Sequence, residues 1–110
     1  LWVNVTYASD VDESSRTITE FTLLQNYPNP FNPSTRITYE VPQDAQVRIK
    51  VFDVRGACIR TLVDREKAAG RYTVTWNGRN DRGNRVSSGV YLYRLVTPEQ
   101  TLTRKMVLVE

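Results

Sequence analysis

The chain has 110 residues, 40% hydrophobic and 25% charged, with 15 basic against 12 acidic side chains and a net charge of +3. A domain of that length buries roughly 60% or more of its unfolded surface and folds as one unit. With no histidine and one cysteine, a Ser-His-Asp triad, a Cys-His pair and most zinc sites cannot be built. No uncharged apolar run approaches the roughly 20 residues of a membrane-spanning helix. A role without catalysis, metal or cofactor is therefore expected.

Leu1-Trp2-Val3-Asn4-Val5-Thr6-Tyr7 reads as a strand and lacks the charged and apolar regions of a signal peptide. Ala8 to Glu20 is polar and acidic, without helical or strand periodicity, and reads as a linker. Residues 1–20 hold Asp10, Asp12, Glu13 and Glu20 against Arg16, a net of −3, so the remainder carries +6. The expected division is the end of a preceding domain with its acidic linker over 1–20, and one domain over 21–110.

After Phe21-Thr22-Leu23-Leu24-Gln25 comes Asn26-Tyr27-Pro28-Asn29-Pro30-Phe31-Asn32-Pro33, whose three prolines rule out a helix. The asparagines supply side-chain hydrogen bonds for local turns. That favours an ordered strap, with Tyr27 and Phe31 lying on a hydrophobic edge, over a free polyproline ligand.

From Arg36 onward the period is two. Ile37, Tyr39 and Val41 alternate with Thr38 and Glu40, and Val47, Ile49 and Val51 with Arg48 and Lys50, as half-buried antiparallel strands do. Pro42-Gln43-Asp44-Ala45 is a turn, and Asp53-Val54-Arg55-Gly56 has the type I signature. A third strand is expected over Cys58–Val63, followed by a helix-compatible patch of at most one turn over 64–70. Tyr72, Val74 and Trp76 mark the fourth strand, Asn77–Gly89 a long loop, and Val90–Thr97 a central fifth strand with apolar residues on both faces. Thr97-Pro98-Glu99-Gln100 turns the chain into a last strand with Met106 and Leu108 inward and Lys105 outward. The expected core is Ile37, Tyr39, Val47, Ile49, Val51, Leu62, Val74, Trp76, Tyr91, Tyr93, Leu95, Met106 and Leu108. Six to seven short strands linked by turns imply an all-β, immunoglobulin-like antiparallel β-sandwich.

Three other candidates are weaker. The loop Asn77–Asn84 carries oxygen side chains among glycines, but Arg79 stands where a calcium ligand belongs and Asp81 is its one carboxylate. Trp76 and Tyr72 could serve a sugar platform, yet their spacing beside Val74 fits burial better. Arg71, Arg79, Arg82 and Arg85 could form a basic edge, or simply a solvated loop. Without interleaved stacking aromatics or a recognition helix they do not point to nucleic acid.

Phe21-Thr-Leu-Leu-Gln-Asn-Tyr-Pro-Asn-Pro-Phe-Asn-Pro33 resembles the opening of the type A C-terminal sorting domains of the type IX secretion system of Bacteroidetes and related bacteria. Val51-Phe-Asp-Val-Arg-Gly56, Ala69-Gly70 and Val74-Thr-Trp-Asn-Gly78 are similar to that family's middle motifs. Ser88-Gly89-Val90-Tyr91-Leu92-Tyr93-Arg94-Leu95 and Lys105-Met106-Val107-Leu108-Val109 are similar to its two terminal motifs. Cys58, where the family is usually polar or basic, and Asn77, where it often has Asp, depart from the pattern. The same pattern is similar to the immunoglobulin-like domain of the flagellar hook-capping protein.

The resemblance implies a non-enzymatic address tag. It is carried with an N-terminal cargo domain through the periplasm and across the outer membrane, is recognised by the type IX translocon and a surface sortase-like protease, and leaves the cargo secreted or at the cell surface. It implies neither a nucleic acid nor a small-molecule substrate. The expected sorting residues are Ser88, Gly89, Val90 and Tyr91 with Lys105, Met106, Val107, Leu108 and Val109, the last strand offering a free edge to a receptor. The alternatives are a carbohydrate-binding or structural module of an extracellular enzyme, or a flagellar hook-assembly domain.

Overall fold

The computed structural model describes residues 17–110, so the expected strand at residues 1–7 and most of the expected linker at 8–20 lie outside the described residues. Seven strands follow: β1 (Thr22–Leu23), β2 (Thr35–Val41), β3 (Ala45–Phe52), β4 (Cys58–Lys67), β5 (Gly70–Trp76), β6 (Gly89–Val96) and β7 (Thr101–Leu108). They form a three-stranded sheet, β1-β2-β5, packed on a four-stranded sheet, β4-β3-β6-β7, with every neighbouring pair antiparallel. This is the immunoglobulin-like sandwich that the alternating pattern implies, and β6 is indeed a central strand.

The alternating positions fill the space between the sheets. Ile37, Tyr39 and Val41 from β2 meet Val47, Ile49 and Val51 from β3, Tyr91, Tyr93 and Leu95 from β6, and Met106 and Leu108 from β7, all buried. Two expected core residues are corrected. Leu62 is half-buried and Val63 takes its place, because β4 bulges: Ile49 pairs with Val63 while Lys50 pairs with Thr61, leaving Leu62 without a partner. Val74 is also half-buried, since β5 is an edge strand with no described strand beyond it. The patch expected to make a helical turn is strand instead, as β4 runs on to Lys67. Pairing of Val47 with Arg65 and of Ala45 with Lys67 overrides its weak helical preference.

The proline-rich segment is an ordered strap. Phe31 is buried, its N–H donates to Val107 C=O (2.9 Å), and its C=O accepts Val109 N–H (2.9 Å). Tyr27, expected to lie on the hydrophobic edge, is 72% exposed; its backbone pairs with Arg36 and holds the strap to β2 while the ring points to solvent. Asn26 is buried between the sheets, its side chain donating to Thr35 Oγ1 (3.0 Å) and Pro28 C=O (3.2 Å).

Tyr93 ties the strap to the centre of the sandwich. Its hydroxyl donates to Leu24 C=O (2.7 Å) and accepts Asn26 N–H (2.8 Å). Burial pushes this phenol up to about 12 from 10.0, and burial likewise raises Tyr39 to about 12. Both stay protonated when folded but ionise near 10 when unfolded. Their stabilising contribution is therefore complete below pH 10 and is lost as pH climbs towards about 12. Thermal melts across that interval should show a falling midpoint. Tyr93→Phe should lower stability at neutral pH by about 1–3 kcal/mol, because the buried Asn26 N–H and the half-buried Leu24 C=O lose their partner, and should shrink the alkaline decline. A variant as stable as the parent would mean that the strap is held without this bond.

Candidate functional site

The two terminal motifs, Ser88–Leu95 and Lys105–Val109, stand about ten positions apart in the chain and are brought side by side when β6 and β7 pair. Gly89 then faces Leu108, Val90 faces Val107, Tyr91 faces Met106 and Leu92 faces Lys105. Period-two alternation divides the paired ribbon into two faces. Tyr91, Met106 and Leu108 are buried in the core and hold the ribbon in place. Val90 (38% exposed), Leu92, Lys105, Val107 and Val109 (42% exposed) share the solvent side, forming a small apolar patch with Lys105 on it and Arg94 at its border. Ser88 is exposed at its start. Of the nine expected residues, Ser88, Val90, Lys105, Val107 and Val109 present side chains on the solvent side, while Tyr91, Met106 and Leu108 are buried.

Gly89 has φ +151° and marks the entry of the long loop into β6. Tyr91 fixes that entry by donating its hydroxyl to Ser87 C=O (2.6 Å). Beside the patch, an open groove of about 550 Å³ runs between the β3–β4 turn and residues 86–91, lined by Val54, Arg55, Ile59 and Ser87 among others. The turn is closed by Gly56 N–H to Asp53 C=O (3.0 Å), and the Asp53 carboxylate accepts the N–H groups of Arg55 and Ala57 (2.9 Å each). That holds Val54 out in solvent, 71% exposed, at the rim. Leu92 and Val54 were not evident as surface residues in the sequence. Leu92 lies on the outward face of a central strand, and the role of Val54 depends on a turn meeting a loop some thirty residues later.

The expected free edge on β7 is corrected. Besides the two bonds to Phe31, the Asn29 carboxamide oxygen accepts Val107 N–H (2.9 Å) and Gln25 Nε2 donates to Lys105 C=O (2.8 Å). Arg104 Nε also donates to Leu23 C=O (2.6 Å). The strap therefore occupies the edge of β7 from Lys105 onward and leaves only its outward side chains open to solvent.

The glycine-rich loop has a structural occupation. Asn80 Oδ1 accepts the N–H groups of Arg82 and Asn84 (3.0 Å each), while Asp81 N–H donates to Ile59 C=O (3.0 Å) and its carboxylate accepts Thr61 N–H (3.1 Å). Asp81 so closes the outer edge of β4 at its start, and Arg60 Nε stands 3.8 Å from the same carboxylate. Among the described residues no three His, Cys, Asp or Glu side chains converge as metal ligands would. The basic edge weighed against a solvated loop for Arg71, Arg79, Arg82 and Arg85 is not formed: Arg71 pairs with Glu40 (2.8 Å) near the start of β5, and the other three lie in the loop beyond its end. Trp76 is fully buried, so it offers no sugar platform.

Comparison with known proteins gives two kinds of relative. The family model described as the FlgD Ig-like domain matches residues 28–100, ending just before β7. Among solved structures, the chain is similar to dimeric latent PorU from Porphyromonas gingivalis, with TM-score 0.66 and 20% identity over 84% of this chain and 10% of that one. It is also similar to PorZ, an essential surface component of the type IX secretion system of P. gingivalis, with TM-score 0.52 and 26% identity over 78% of this chain and 11% of that one. FlgD from P. aeruginosa aligns with TM-score 0.58 and 18% identity over 86% of this chain and 75% of that one. The chain thus spans about a tenth of the PorU and PorZ structures. At 20% identity or less, the likeness to PorU and FlgD concerns the fold. No curated protein matches the chain.

Proposed function

The chain belongs to the FlgD Ig-like domain family, and from that premise we propose that it is a non-enzymatic recognition domain that addresses an attached cargo to a type IX secretion apparatus. The observation that carries the reading is the pairing of β6 with β7, which joins two separated motifs into one outward patch of Val90, Leu92, Lys105 and Val107. A rigid sandwich presenting a small apolar patch with Lys105 on it suits a receptor that reads side chains on a preformed surface. The order of motifs from Phe21 to Val109 supports the same assignment, as does the likeness to PorZ. In this reading the translocon and a surface protease are the partners, and the cargo ends secreted or at the cell surface.

The test is to fuse the whole chain to a fluorescent reporter in a type IX competent bacterium. Deleting residues 105–110 would remove Met106 and Leu108 from the core, so that truncation confounds address with fold. Lys105→Ala combined with Val90→Thr leaves the buried face intact. The fusion should reach the surface and the double variant should remain in the periplasm with the reporter folded. Equal export of both would place the address elsewhere.

A hook-assembly role is the second reading, favoured by the family model and by the share of the P. aeruginosa FlgD chain that is covered. Restored motility in a flagellated strain lacking its own hook-capping protein, together with no surface export of the fusion, would select it.

A further inference from the structure

Among the described residues the sandwich sets three strands against four, and the unfilled position lies beside β5. Thr38 C=O accepts Leu24 N–H (2.9 Å) and Arg36 exchanges both its backbone bonds with Tyr27 (2.9 Å each), so both residues turn their backbone groups away from β5. Their register partners on β5 are Thr73 and Thr75. In an antiparallel pair such facing residues are not bonded to each other. Thr73 and Thr75 therefore point their N–H and C=O outward, where no described strand pairs with them. β5 has no proline or lysine and keeps unbroken register with β2, and its one charged residue, Arg71, stands near its start, so neither proline, lysine nor bulge blunts the edge at Thr73 and Thr75.

The other edges differ. β7 is covered by the strap from Lys105 onward, β4 is closed at its start by Asp81, and β1 is two residues long.

The floor beneath the missing position is basic. Val47 is buried on the inner face of β3 and pairs with Arg65, which puts Arg65 on the inner face of β4; yet Arg65 is exposed, because nothing described covers it. Lys67 lies on the same face, its Nζ 4.6 Å from the centre of the Tyr72 ring. The acids of β4 face the other way, with Asp64 3.3 Å from Arg48 and Glu66 in register with Gln46. Neither Arg65 nor Lys67 has an acidic partner among the described residues. Tyr72 and Val74, the inner-face residues of β5, are left half-exposed above them.

We propose that the outer edge of β5, above the uncovered flank of β4, is a docking site for an extended acidic segment of a partner protein, which joins the three-stranded sheet as its fourth strand. Backbone pairing to Thr73 and Thr75 supplies the attachment. Acidic side chains on the inward positions meet Arg65 and Lys67, whereas a basic strand would bring like charges together. The apolar stems and Tyr72 and Val74 lose their remaining exposure under it. The site is separate from the β6–β7 patch and does not depend on the sorting reading.

The test uses the full chain, isotope-labelled, titrated with an acetylated octapeptide alternating glutamate and threonine, and with its counterpart carrying lysine for glutamate. The glutamate peptide should shift the amides of β5 and of residues 63–67 saturably at low salt, and bind about tenfold tighter than the lysine peptide. Thr73→Pro removes an outward N–H that the sheet does not use, so the variant should keep its dispersed spectrum and lose the binding. The double variant Arg65→Glu with Lys67→Glu, made at side chains outside the core, should reverse the preference between the peptides. Equal affinity for both peptides, shifts confined to β6 and β7, or undiminished binding by a folded Thr73→Pro chain would overturn the proposal. So would a concentration-dependent dimer mapping to the same amides without peptide, since a second copy would then be the occupant.

Discussion

Replacing Trp76 with alanine is expected to lower the unfolding free energy by about 3–5 kcal/mol, the usual cost of deleting a buried aromatic ring. Trp76 is fully buried and is clasped on two sides, by Phe31 at 5.6 Å and by Tyr91 edge-on at 5.4 Å. Its indole N–H donates to Arg79 C=O (2.9 Å), so the same change also frees the start of the β5–β6 loop. An ordinary domain has only about 5–15 kcal/mol to lose, and much of the population should therefore be unfolded at modest denaturant. Equilibrium urea unfolding measures this directly, and a loss below about 1 kcal/mol would show that the ring is not a core element.

Phe31→Ala should be comparably damaging, by about 3–5 kcal/mol, but with a different distribution. Phe31 is the single buried aromatic of the strap, and it bonds β7 through both its N–H and its C=O. Losing the ring should loosen the strap, so that the amides of Val107 and Val109 exchange faster than those of β3. Native-state hydrogen exchange checks the contrast. Uniform acceleration across both sheets would mean that strap and sandwich open as one unit.

Much of this architecture is legible in the sequence, because antiparallel sheets with one wet face write their burial as alternation. Ile37, Tyr39, Val47, Ile49 and Val51 carry that signal plainly, and the Asp53–Gly56 turn is stated by its own residue types. What alternation does not carry is the partner of each strand. Leu62 and Val63 cannot be ranked without knowing that β4 bulges against β3, and Val74 reads as core until β5 turns out to be an edge. The extension of β4 to Lys67 follows from pairing with Ala45, a cross-strand relation over some twenty residues. Tyr27 and Phe31 are both aromatic within one proline segment, yet backbone pairing of Tyr27 with Arg36 turns one ring to solvent while the other is buried. For the candidate site, the motifs are visible but their roles are divided by the pleat. Val90 and Lys105 face out, whereas Met106 and Leu108 belong to the core.

The bonds that β1 and the strap make to the last strand join residues about eighty positions apart: Leu23 with Arg104, Gln25 with Lys105, and Asn29 with Val107. Contacts of such separation can form only after most of the intervening chain is present, and closing so long a loop is entropically costly until other strands have shortened it. On a ribosome, which delivers the chain from its N-terminal end, the strap emerges early and has no seat until β7 follows. Completion of β7 is thus the event that lets both sheets lock. Until then Phe31 lacks the strand that seats it, so the order of synthesis bears on when this domain becomes rigid.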